Sequence, residues 1–232
     1  MIRRGQLLLS IILIAVLASC SSVRTRTFSE EETKEAFDLL SSDMMGYIAS
    51  SEGISGEDVV SILPRSFTDY AAYVPLYDSM AGAYGERVVE IISPLIPQAY
   101  PLIEGAMAGI SGSYPVSLIS DDTAFTDAIE EAVGEDVRNL YLAALSDVSE
   151  QLDEAFKPVL EEFSSIRRAY SNLSAVGGGI FIAAPMPASD DSIADLLASS
   201  LFSSLSDAER SLKNRPLADS GSPYGIFWGG AF

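Results

Sequence analysis

The chain has 232 residues, with 33 Asp and Glu against 14 Lys and Arg, a formal net charge of −19, one cysteine and no histidine. So acidic a balance disfavours nucleic acid, whose phosphates are bound by Lys and Arg. The missing histidines exclude Ser-His-Asp and Cys-His catalysis, histidine metal sites and histidine pH switching, and a lone cysteine excludes cysteine zinc sites. Neither a metal nor a cofactor is expected, and three lysines, the arginines, carboxylates, hydroxyls and phenols are what remains for chemistry.

The chain opens with Arg3 and Arg4, continues as an apolar stretch from Leu7 to Leu17 broken by Ser10, and closes on Leu17-Ala18-Ser19-Cys20. A positive start, a short apolar run and small residues predict a signal peptide over residues 1–19. A spanning helix needs about 20 apolar residues. A plain signal peptide cut elsewhere and an uncleaved anchor are the alternatives. The order Leu-Ala-Ser-Cys resembles the lipobox of bacterial lipoproteins, which implies cleavage before Cys20 and a diacylglycerol on its thiol. Two or three acyl chains, at about 0.8 kcal/mol per buried methylene, hold such a protein permanently at a membrane. Ser21, where enteric bacteria use aspartate for inner-membrane retention, points by the same resemblance to the outer membrane. With Cys20 lipidated no thiol is left for a disulfide, and the fold rests on packing.

Residues 20–28 read as a tether, and 29–232 as one all-α domain of about seven to nine helices. Ser29 and Glu32 have the spacing of a capping box, followed by apolar residues at helical spacing from Ala36 to Ile48, and Gly53 ends this helix. Ser55 to Leu63 predicts a second helix, Ser66 to Leu76 a short one before Pro75, and Leu76 to Ile92 a longer one containing Gly82 and Gly85, which allow close packing. Pro97 to Ile110 predicts another, with Pro101 suited to its first turn. Ser120-Asp121-Asp122 caps a helix through Val133; Gly134 breaks it; Glu135 to Lys157 follows; Pro158 kinks that helix or opens the next, which ends near Leu173. Residues 176–189, with Gly177-Gly178-Gly179, Pro185 and Pro187, read as a hinge. Ser189 to Asn214 predicts a last helix, and residues 217–232 an aromatic tail with Tyr224, Phe227, Trp228 and Phe232.

Several stretches, in order, resemble the bacterial family catalogued as domain of unknown function 4197. They are Val60-Ser-Ile62-Leu63-Pro64, Arg87-Val-Val-Glu90, Ala99-Tyr-Pro101 through Met107, Leu152 through Phe156-Lys-Pro158, Tyr170-Ser-Asn172-Leu173, Leu201-Phe202 with Glu209 and Arg215-Pro216, and Phe227-Trp-Gly229. The resemblance spans nearly the whole chain after Cys20 and implies an exported helical domain. It departs at Glu86, where the family has asparagine, and at Val148, where it has threonine.

Arg87 and Glu90, three residues apart on one helix, are expected to form a buried pair that fixes helix packing, with ligand contact as the alternative. Arg215 has the same structural or ligand-contact reading, with Glu209 or a helix end as its partner. The adjacent carboxylates Asp121-Asp122, Glu130-Glu131, Glu161-Glu162 and Asp190-Asp191 read as caps and solvated faces, because neighbours in sequence do not share a helix face. No catalytic residue is assigned. The leading expectation is a non-enzymatic, lipid-anchored envelope protein that binds a partner protein or an apolar ligand between helices. An envelope hydrolase using carboxylates alone and a purely structural envelope protein are the alternatives.

Overall fold

The structure, a computed structural model, describes residues 29–51, 53–111, 122–174 and 183–214. The signal peptide, Cys20, the tether, Gly177-Gly178-Gly179, Arg215 and the aromatic tail lie outside these residues. Helix accounts for 87% of what is described and no strand occurs there, as an all-α chain requires.

Helix α1 runs Glu30–Ser50 and α2 Gly56–Ser61. A short turn, Arg65–Thr68, passes into a 3-10 segment, Asp69–Tyr73; α3 is Tyr77–Ile92, and a second 3-10 segment, Ser93–Ala99, leads into α4, Tyr100–Ser111. Helix α5 is Ala124–Ser174 and α6 Asp190–Lys213. Among the described residues this makes six helices longer than one turn, below the seven to nine expected.

Most of the shortfall comes from α5; the rest is the expected 66–76 helix, which is a single turn and a 3-10 segment. Gly134 was expected to break the helix there and Pro158 to kink it or open the next one; the helix runs through both for 51 residues, about 76 Å at 1.5 Å per residue. A glycine inside a helix costs about 1 kcal/mol and a proline about 3 kcal/mol. Burial offsets both. Ile129, Val137, Tyr141 and Leu145 continue one apolar stripe past Gly134, and Ala155, Phe156, Val159 and Phe163 continue it past Pro158. Pro158 itself faces solvent, so its ring stays clear of the core and its missing N–H leaves a single carbonyl without its helical partner.

The other helices start where the sequence marks them. Ser29 and Glu32 close both halves of a capping box, with the Glu32 amide donating to Ser29 Oγ at 3.1 Å and the Ser29 amide to Glu32 Oε2 at 2.9 Å. Ser55 and Asp58 do the same for α2. Ser189 caps α6, whose first turn carries Asp190 and Asp191 at the positive end of the helix dipole.

Helices α1, α4, α5 and α6 contact one another in a closed cycle: α1 on α4, α4 on α5, α5 on α6, and α6 back on α1. Inside it lie Phe37, Leu40, Met44, Ile103, Met107, Phe125, Ile129, Leu197 and Leu201. Helices α2 and α3 pack as a pair, with α3 against α5. Their backbones touch at Gly56 and Gly85: a β-carbon on Gly85 would lie 2.4 Å from the Gly56 carbonyl oxygen. Gly85 is the close-packing position anticipated there; at Gly82 nothing comes within 4 Å. Phe67, Tyr84 and Phe156 bring their rings together where α3 meets α5. Tyr70, Val74 and Phe163 form a second, smaller cluster further along α5.

Candidate functional site

Helix α5 places Phe125 and Thr126 in its first turn, where backbone amides have no partner within the helix. Ser120 and Asp121 of the expected local cap lie outside the described residues; the acceptor seen at these amides belongs to a residue more than eighty positions away. Glu209 of α6 accepts from the Phe125 amide at 3.0 Å and from the Thr126 amide at 2.7 Å. Glu209 is fully buried, and the Lys213 ammonium, also buried, pairs with its carboxylate one turn later on α6. A buried carboxylate is tolerable only when paired and hydrogen-bonded, and this one receives two helix-end amides and a cation. The arrangement ties α6 to the start of α5. With three donors on a fully buried carboxylate, the role is structural.

The expected buried pair of Arg87 and Glu90 is not formed. Both side chains are exposed on α3, and no ion pair joins them among the described residues. The buried stripe of α3 passes through Ala81, Tyr84, Val88 and Ile92, which turns positions 87 and 90 outward. Arg215 lies outside the described residues. Glu209, named beside it as a partner, is the residue at the centre of the buried ion pair with Lys213.

Arg138, which the sequence did not single out, bridges α5 to α6. Its Nε donates to Asp195 at 2.6 Å and its Nη2 to Asp191 at 2.7 Å, both on the outer face. Hydrogen bonds to the two carboxylates hold its guanidinium further above the ordinary arginine range. Glu130, Glu131, Glu161 and Glu162 are exposed, as solvated faces require. The carboxyl of Asp58 is held below the usual range by the Ser55 hydroxyl and amide, the chemistry of a cap. Among the described residues, no group of three or more acidic or cysteine side chains could hold a metal ion.

A groove of about 250 Å3 opens where the end of α1, the 51–54 link, the 93–99 segment and α6 converge. Ile54, Ile96, Tyr100 and Leu201 give it apolar walls, and Ser51, Ser93, Ser200 and Ser204 add hydroxyls. Among the described residues no acidic or basic side chain lines it. Its walls are fixed from behind. The Tyr141 hydroxyl donates to the Ile96 carbonyl at 3.0 Å, and the Ser51 hydroxyl to the Ile48 carbonyl at 3.0 Å. Burial, with Tyr100 nearby, pushes the Tyr141 phenol well above its ordinary range, so it stays a neutral donor.

No family model, no curated protein and no solved structure matches the chain. Several of the motif residues behind the family resemblance are packing residues: Leu63, Ala99, Ile103, Phe156, Leu201, Phe202 and Glu209 are buried. None of the helices among the described residues is long and apolar enough to cross a membrane.

Proposed function

We propose that this chain is a lipid-anchored protein of the bacterial cell envelope whose helical domain binds, without catalysis, an uncharged apolar ligand or an apolar side chain of a partner protein. The observation that carries the binding reading is the lining of the groove at Ile54, Ile96, Tyr100 and Leu201: apolar walls and serine hydroxyls, with no acid or base among the described residues there. Binding sites are concave, mostly apolar and carry a few placed polar groups. General acid–base chemistry needs titrating groups that converge on one spot. The anchoring reading is supported by the Leu17-Ala18-Ser19-Cys20 order, and the outer membrane by Ser21. The ordered motifs support placing the chain with the family catalogued as domain of unknown function 4197.

The test uses the full chain expressed in its own envelope with a C-terminal affinity tag. Wild type and a groove-filling variant, Ser204→Trp, are recovered in mild detergent and the co-purifying lipids and proteins are identified by mass spectrometry. The proposal expects a discrete species with the wild type that the variant loses while keeping its helical circular dichroism. Recovery of the same species in equal amount with both proteins would rule out this groove. For the anchor, Cys20→Ser should leave the protein unprocessed or release it from membranes, and normal processing with membrane retention would contradict it.

A further inference from the structure

The groove between α1, the 93–99 segment and α6 has a shape and a polarity that define its ligand more closely than its apolar walls do alone. Ile48, Ile54 and Leu201 form its floor, each no more than 5% exposed. Its apolar surface therefore lies at the bottom of a concavity, below the reach of a flat protein face. Pro97 and the partly buried Tyr100 line it with two rigid, flat rings. An apolar cavity of about 150 Å3 takes one benzene ring. The groove's volume of about 250 Å3 therefore suits two fused rings.

One wall is polar. Ser200 and Ser204 stand one turn apart on α6, which puts their side chains about 5–6 Å apart on one face. Among the described residues neither hydroxyl bonds to the protein, and both oxygens remain open to solvent. Ser199 beside them spends its hydroxyl on the Leu196 carbonyl at 3.1 Å. A ligand that displaces water from the two free oxygens loses affinity unless it returns a hydrogen bond. An N–H or O–H held between the serines reaches either oxygen. The ligand's charge follows from the surroundings. A chain of net charge −19 repels anions, and a cation meets no carboxylate among the described lining residues.

We propose that this groove recognises a small, flat, neutral molecule of two fused rings that carries one hydrogen-bond donor. The rings lie against Tyr100 and Pro97 over the apolar floor, and the donor faces Ser200 and Ser204. No bond is made or broken; the site recognises and holds. The inference rests on the binding role proposed above for the same groove and narrows its ligand to a chemical class.

The test is a titration of the full-length chain, labelled at the isoleucine methyl groups and held at one detergent concentration, with indole as probe. Benzofuran keeps the two-ring outline without the donor, indole-2-carboxylate adds a charge, and N-acetyltryptophanamide carries the ring on a peptide backbone. Indole should shift the Ile54 and Ile96 methyl resonances saturably. Benzofuran should bind about fivefold more weakly, since one neutral hydrogen bond contributes that much. The carboxylate should give no saturable shift, and the tryptophanamide should bind more weakly than indole. Ser200→Ala with Ser204→Ala, a change that favours helix, should lower the affinity for indole to that for benzofuran and leave benzofuran unchanged. Equal affinity for indole and benzofuran, or a preference that survives the double variant, would overturn the inference and leave the groove a binding site. Tighter binding of the tryptophanamide would overturn it by assigning the groove to a partner's side chain. Saturation by none of the probes would overturn it too, and capture from the envelope with Ser204→Trp then decides separately whether the groove binds at all.

Discussion

Replacing Glu209 by alanine tests the bond between α6 and the start of α5. Glu209 accepts from the Phe125 amide at 3.0 Å and the Thr126 amide at 2.7 Å and neutralises buried Lys213. Hydrogen bonds to a charged group contribute about 1.5–3 kcal/mol each, and removing one partner of a buried ion pair costs about 3–5 kcal/mol because the other charge is stranded. These terms describe the same groups and overlap, so the expected loss is about 4 kcal/mol, a large share of the roughly 5–15 kcal/mol that holds a domain folded. For a domain of this size each kcal/mol moves the thermal midpoint by about 2–4 °C, so the midpoint should fall by about 8–16 °C. Glu209→Gln keeps one accepting oxygen and should lose about half as much. Glu209→Leu combined with Lys213→Met removes both charges and should be less damaging than Glu209→Ala alone, since no ion is left unpaired. Urea unfolding of the full-length chain followed by far-ultraviolet circular dichroism measures all three. A loss below about 1 kcal/mol for Glu209→Ala, or a double variant worse than the single one, would refute the reasoning.

Further predictions follow from the packing and the tyrosines. Gly85→Ala puts a β-carbon 2.4 Å from the Gly56 carbonyl oxygen and should cost about 1–3 kcal/mol by overpacking. Gly82→Ala, with nothing within 4 Å, should stabilise by up to about 1 kcal/mol through helix propensity; thermal midpoints read both. Pro158→Ala restores a helix hydrogen bond on an exposed face and should raise stability by about 1–3 kcal/mol, a gain visible in urea midpoints. Burial raises the Tyr70 and Tyr84 phenols to about 12, against an ordinary value of 10.0. Above pH 10 the unfolded chain therefore releases protons that the folded chain keeps, so stability is full below that pH and falls as pH rises toward about 12. Phenolate absorbance should show the buried tyrosines ionising only together with loss of helix.

Three helix starts trace to sequence signals that act locally. Ser29 with Glu32, Ser55 with Asp58, and Ser189 before an acidic turn mark helix starts because capping is settled within four residues. Gly134 misled for the opposite reason, and at Pro158 the same limit left a kink and a new helix both open. Their cost is local, but what offsets it is the burial of Ile129, Val137, Phe156 and Phe163 against other helices. Glu209 shows the same limit from the other side. Its partners are the amides of Phe125 and Thr126, and no spacing rule connects residues more than eighty positions apart. Arg87 and Glu90 have the separation of a helical pair, yet which face of α3 turns inward is decided by its packing on α2 and α5. The uncharged groove draws on four separate segments, so its lining became visible only when they were brought together.

The binding site proposed above is the groove between α1, the 93–99 segment and α6. A photo-crosslinking amino acid placed at Ser204, which lines the groove, and in a second protein at Ser203, exposed on the same helix, tests it directly. A discrete adduct is expected on irradiation of cells carrying the probe at position 204 and none with the probe at 203. Equal adducts from both positions, or none from position 204, would contradict it.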